Sequence, residues 1–184
     1  NKVVLIASEI QVPADLCLPL SGALIDWIKN SNASAAIMID AYSPGVENKH
    51  TIFDEDDSDG SLLGFGSVEE SHKILDELKI PLLKQGIIGG MTGVMMGESR
   101  RRSVNTVAML AEASGEFGNG TIPDSRAAAR IINCLDKLLP AIYLDSEPLL
   151  EEAQRIEEQI REMMALQLNP SAEHATNDSA NMYG

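Results

Sequence analysis

Two short apolar runs, Val3-Val4-Leu5-Ile6-Ala7 and Ala35-Ala36-Ile37-Met38-Ile39-Asp40, flank a helix-length stretch, and that order admits few folds. Continuous apolar runs of this length are what strands buried on both faces leave in a sequence. Between them, Pro13-Ala14-Asp15 reads as a helix start, and Leu16, Leu20, Leu24 and Ile28 supply an apolar face as far as about Lys29. The Leu18-Pro19 step predicts a kink or a later start. Strand, helix and strand in this succession form a right-handed crossover, which lays the two strands parallel.

The rest of the chain extends the pattern. Residues 42–66 interrupt it with Pro44-Gly45 and the acidic Asp54-Glu55-Asp56-Asp57-Ser58-Asp59-Gly60, an exposed insertion or a hairpin with an acidic tip. A short helix is predicted over 68–79, a strand over 82–89, a helix over 93–101 after a glycine-rich turn, and a strand over 106–111. Asp124 is a good N-cap for a helix to about Leu139, with Ala128, Ile131, Ile132, Leu135 and Leu139 on one face and Pro140 as its stop. A last long helix is predicted over about 146–168, ended by Asn169-Pro170. The expectation is one three-layer α/β domain over 1–168, with a parallel or mixed sheet flanked by helices, and a flexible polar C-terminal tail over 169–184.

Charge and composition exclude several functions. A formal net charge of −14 leaves little to neutralise phosphates, so neither nucleic acid nor an anionic membrane surface is an expected partner. The basic cluster Arg100-Arg101-Arg102 is too short to reverse that. No run approaches a transmembrane length and no signal peptide opens the chain, which predicts a cytoplasmic protein. The chain starts at Asn1 rather than Met, so further N-terminal sequence is expected. Cys17 and Cys134 sit among apolar neighbours and read as buried thiols, with a disulfide or a reactive thiol as the alternatives.

Candidate chemistry is sparse. Gly86-Ile87-Ile88-Gly89-Gly90-Met91-Thr92-Gly93 lies between a predicted strand and helix, where Gly89, Gly90, Thr92 and Gly93 could hold an anion on free backbone amides. The spacing matches neither the dinucleotide fingerprint nor the P-loop, and close helix–sheet packing explains the glycines as well. With Gly60 at the sixth place of a calcium loop, Glu55, Asp57 and Asp59 fall at the first, third and fifth, but the twelfth is Gly66 and the cage cannot close. His50, His72 and His174 have no ligand spacing, so neither a metal nor a cofactor is expected. Glu9, Asp40 and Glu112 each follow a predicted strand and could gather at the carboxyl edge of a sheet.

The last helix and the tail offer more. Leu149, Ala153, Ile156, Ile160 and Met163 recur at spacings 4, 3, 4, 3, a coiled-coil seam that serves either an oligomer interface or packing within the domain. Glu151 with Arg155 and Glu157 with Arg161 are spaced for ion pairs along the helix. After the polar tail come Met182, Tyr183 and Gly184. Read with Gly184 as the last residue, they join an apolar anchor, a phenol and a carboxylate, a combination that suits capture by a partner.

The ordered segments together resemble a known family. They are Gly86 to Gly93, Glu98-Ser99-Arg100-Arg101-Arg102, Ala108-Met109-Leu110-Ala111-Glu112-Ala113, Pro123-Asp124-Ser125-Arg126-Ala127-Ala128-Ala129 and Glu147-Pro148-Leu149-Leu150-Glu151-Glu152-Ala153. In this succession they resemble the archaeal proteasome assembly chaperones, relatives of a eukaryotic assembly chaperone, over residues 1–165. The resemblance implies a non-enzymatic, homo-oligomeric protein with a fold similar to purine nucleoside phosphorylases. It also implies a C-terminal hydrophobic–tyrosine–any motif, here Met182, Tyr183 and Gly184, that inserts between proteasome α-subunits. The competing expectation is a phosphorylase-like enzyme or small-molecule binder that uses the 86–93 turn.

Overall fold

Residues 106–112 are apolar almost throughout, and in the fold they are covered on both sides. The structure, a computed structural model, describes residues 2–42, 61–113, 124–139 and 142–168, the side chains of 161 and 163–168 excepted. Its elements run α1 (Ala14–Asn30), β1 (Ala36–Tyr42), β2 (Leu62–Gly66), α2 (Glu69–Glu77), α3 (Gly90–Arg101), β3 (Thr106–Glu112), α4 (Ser125–Leu138) and α5 (Glu147–Leu168). The sheet order is β1-β3-β2. β1 pairs parallel with β3, from Ala36 opposite Thr106 to Tyr42 opposite Glu112, and β2 pairs antiparallel, with Gly64 opposite Met109. The result is an α/β fold with a small mixed sheet flanked by helices.

Two cores explain why β3 is central. Val107, Met109 and Ala111 join Leu75 of α2, Ile80, and Ala127, Ile131 and Cys134 of α4 in one cluster. On the other side Ile25 and Ile28 of α1 pack with Met95 of α3 and Val104, with Ala36 and Met38 of β1 against them. Ile25, Leu75 and Met109 have no exposed surface, and each such burial contributes about 1.5–3 kcal/mol. Cys17 and Cys134 are buried free thiols.

The element ends follow local chemistry. Asp124 caps α4, its Oδ1 accepting the Ala127 amide at 2.8 Å. At the start of α2, Ser71 Oγ accepts the Val68 amide at 2.9 Å and donates to the Val68 carbonyl at 2.6 Å. Pro19 lies inside α1 without ending it. Ser67 is held by Val104 and Thr106, donating to the Val104 carbonyl (2.6 Å) and accepting the Thr106 amide (2.9 Å), which joins the end of β2 to the start of β3.

Five expectations are corrected. Residues 3–7 are not a strand: they are irregular, and Val3 to Ile6 are 52–84% exposed. Apolarity alone does not make a strand without an edge and a cover. The buried face of α1 is Cys17, Ser21, Ile25 and Ile28, which turns toward α3, and Leu16 and Leu20 are left outside. The interval 42–66 contains β2 but is no β1–β2 hairpin, because β3 separates the two strands; its acidic part, 43–60, lies outside the described residues. Residues 82–89 make one parallel bridge, Leu82 to Gly64, and no strand. On α4 the buried line is Ala127, Ile131 and Cys134, and Ala128 is exposed.

Candidate functional site

The parallel pair ends with Tyr42 opposite Glu112, the edge of an open α/β sheet where ligands and polar groups gather. β2 enters at the same level, so Ser61 arrives there too. Its amide (3.2 Å) and hydroxyl (2.6 Å) both donate to Glu112 Oε2, and the Tyr42 hydroxyl reaches the same oxygen at 3.3 Å. The Tyr42 and Ser61 hydroxyls also contact each other. From α4, Arg130 Nη2 donates to the Glu112 carbonyl, and its buried Nε has no partner. Burial, ahead of the Glu112 charge, raises the Tyr42 phenol above the ordinary tyrosine range. The cluster fastens all three strands and α4 at one edge. Within it the Ser61 hydroxyl is engaged by the Glu112 carboxylate.

Tyr42, Ser61 and Arg130 escape a reading by motif. The available signal was Arg126 with Arg130, a helical step of four on a helix whose inner face is otherwise apolar. The expected carboxylate group does not form. Glu9 lies in the irregular segment before α1, and Asp40 Oδ1 accepts the amide of its own neighbour Ala41 at 2.8 Å. Among the described residues no three His, Cys, Asp or Glu side chains are grouped to hold a metal.

The glycine-rich turn meets α3 at Gly90, whose φ of 61° lies in the left-handed region. Gly93 donates its amide to the Gly89 carbonyl at 3.1 Å. A Cβ on Gly93 would lie 2.2 Å from the Ile88 carbonyl oxygen, while Gly89 and Gly90 have open space around them. Thr92 is buried. Gly93 and Thr92 thus serve the close approach of α3 to the segment before it.

At the far end of α3, Arg101 pairs with Glu98 (2.6 Å), and Arg102 pairs with Asp26 of α1 (2.5 Å) and Glu98 (3.4 Å). The Arg101 hydrogen bonds hold the Glu98 carboxyl below the usual range, with the Arg101 and Arg102 charges adding to them. Two of the three arginines are therefore neutralised within the fold.

α5 lies against α4. Ala153 and Ile160 are buried, Leu149 and Ile156 half-buried, and the side chain of Met163 lies outside the description. Arg126 of α4 grips Glu157 of α5 with two bonds, Nε to Oε1 at 2.6 Å and Nη2 to Oε2 at 3.0 Å. Arg155 pairs with Glu152, one residue along from the expected Glu151. Met182, Tyr183 and Gly184 lie outside the described residues. No described helix is long and apolar enough to cross a membrane.

Helices on both faces of a small mixed sheet, with the polar groups at its carboxyl edge tied to one another, define an α/β scaffold. The sequence profile of the PAC2 family matches residues 1–164, and the chain belongs to that family. Its fold is similar to crystal structures of Pyrococcus furiosus PbaA, described as an archaeal homolog of proteasome-assembly chaperone. The monoclinic form matches with a TM-score of 0.71 and 30% identity, over 89% of this chain and 62% of that one. A second PbaA structure gives 0.64 and 31%, over 84% and 62%. P. furiosus PbaB, described as an archaeal proteasome activator, gives 0.64 at 19% identity over 85% and 62%, a likeness of fold alone. This chain thus spans 62% of the length of each of these chains. Comparison with curated proteins gave no match. The resemblance read from the ordered segments is that of the family found.

Proposed function

We propose that this chain is a non-enzymatic proteasome assembly chaperone-like protein that docks on proteasome α-subunits through its tail. Membership of the PAC2 family over residues 1–164, with 30–31% identity to PbaA, is the observation that supports this most. With Gly184 as the last residue, Met182 fills an apolar pocket, Tyr183 packs its ring and hydrogen-bonds through its hydroxyl, and the carboxylate pairs with a lysine. The polar tail supplies reach. A homo-oligomer, joined in part through Leu149, Ile156 and Met163 of α5, would present several tails and gain avidity. The scaffold is then of the phosphorylase-like type without its chemistry, and it acts in the cytoplasm.

The enzyme or anion-binding reading has less support, since Gly93 and Thr92 of the turn are taken up by packing. Capture of proteasome α-subunits by the intact chain, compared with a chain lacking residues 182–184, tests the proposal. Capture by the intact chain alone is expected; equal capture by both would remove the tail from the account.

A further inference from the structure

Arginines in this fold are placed beside carboxylates. Arg101 and Arg102, at the end of α3, hold Glu98 and Asp26, Arg126 of α4 holds Glu157, and Arg155 of α5 holds Glu152. Arg130, one turn after Arg126 on α4, is half-buried, and among the described residues no carboxylate pairs with it. Its Nη2 donates to the Glu112 backbone carbonyl, and its buried Nε–H has no partner. A guanidinium drawn partly out of water with a donor left unsatisfied is costly until an acceptor of opposite charge meets it.

The acid at the same edge is committed elsewhere. Glu112 Oε2 accepts the Ser61 amide at 3.2 Å and the Ser61 hydroxyl at 2.6 Å, two donors for the two lone pairs of that oxygen. Ser61 thus anchors the Glu112 carboxylate at the start of β2, while Arg130 is fastened to the Glu112 main chain. Tyr42 is the surplus donor. Its hydroxyl reaches Glu112 Oε2 at 3.3 Å, as a third and longer contact, and also meets the Ser61 hydroxyl. The Arg130 charge is felt at this phenol: burial raises Tyr42, and the guanidinium acts in the opposite direction.

We propose that Arg130 and Tyr42 form a binding site for a small oxyanion, a carboxylate or phosphate group, at the carboxyl edge of the β1–β3 pair. The guanidinium supplies the charge and the Nε–H, in a planar fork that matches two oxygens of such a group. The phenol turns its proton from the cluster to the ligand. Ser61 keeps the Glu112 carboxylate from taking the ligand's place on Arg130. The register puts Tyr42 opposite Glu112 at the ends of two adjacent parallel strands, which is where open α/β sheets receive their ligands. The site is separate from the glycine-rich turn, whose Gly93 and Thr92 are taken up by packing, and it asks nothing of the tail. The net charge of −14 and the Glu112 carboxylate both oppose an anion, so the expected affinity is millimolar.

NMR titration of the full chain, followed at the Arg130 Nε–H resonance, tests this. The probes are sodium acetate and inorganic phosphate, with sodium chloride at matched ionic strength as the control. A saturable shift with acetate, phosphate or both, and none with chloride, is expected. The probe that saturates at the lower concentration tells whether the site takes carboxylate or phosphate groups. Tyr42→Phe should weaken the binding about tenfold, the loss of one hydrogen bond to a charged group. Arg130→Lys keeps the charge and loses the fork, and should abolish saturation read at the Glu112 and Ala113 amides. No saturable shift in the unaltered protein, or the same shift with chloride, would overturn the site, whatever the variants do. So would full-strength binding by Tyr42→Phe or Arg130→Lys, which would leave a diffuse charge effect in place of a built site.

Discussion

Gly93 and Gly97 stand one turn apart on α3 and have opposite roles. At Gly93 a Cβ would meet the Ile88 carbonyl oxygen at 2.2 Å, a backbone atom that cannot swing aside; at Gly97 it would meet nothing within 4 Å. Alanine gains roughly 0.5–1 kcal/mol of helix propensity at either site, but displacing backbone costs about 1–3 kcal/mol. Gly93→Ala is therefore expected to lower stability by about 1–2 kcal/mol and Gly97→Ala to raise it by about 0.5 kcal/mol, read from urea midpoints. Equal shifts would mean that the close approach at Ile88 does not constrain the chain. Tyr42 gives a pH signature. Burial raises its phenol in the folded state, so its stabilisation is complete below the unfolded value of about 10 and is lost as pH climbs through the folded one. The melting temperature should fall more steeply above about pH 10 than in Tyr42→Phe; parallel curves would count against the buried phenol.

Arg126 and Glu157 hold α4 and α5 together through two charge-assisted bonds, with side chains 37% and 19% exposed. Partial exposure screens the pair, so Arg126→Ala is expected to cost about 1 kcal/mol. The loss should fall on α5, as faster hydrogen exchange in Glu147–Leu168 with the sheet unchanged; uniform loosening would contradict a local clamp. Elements of this kind were legible in the sequence where one signal dominated. Asp124 announces α4, and β3 is an uninterrupted apolar run. β2 was hidden because Leu62–Gly66 contains two glycines, which read as turn residues. In the fold a Cβ on Gly64 would lie 2.4 Å from Leu75, and one on Gly66 2.5 Å from Ser71. Those glycines let α2 lie directly on the strand. The orientation of α1 was misread because Leu16, Leu20 and Leu24 are the most apolar line at helical spacing, while its buried face begins with Cys17 and Ser21. Cys17 and Ser21 are small enough to bring α1 close to α3, where Ser21 Oγ meets Met91 Sδ at 3.7 Å.

At the scale of the molecule, the succession of strands and helices was enough to expect an α/β fold, and the ordered segments were enough to indicate the family. The polar edge was not legible, because Tyr42, Ser61, Glu112 and Arg130 come together only through strand register and the placement of α4. The tail poses the opposite case: its chemistry is plain in the sequence, and the role proposed for it lies in a partner. The central claim is that Met182, Tyr183 and Gly184 carry docking to proteasome α-subunits. Titration of an α-subunit ring with the intact chain and with Tyr183→Ala measures it most directly. The account predicts saturable binding weakened at least about fivefold by the substitution, the loss of an aromatic anchor worth about 1 kcal/mol or more. Equal affinities, or no binding by the intact chain, would contradict it.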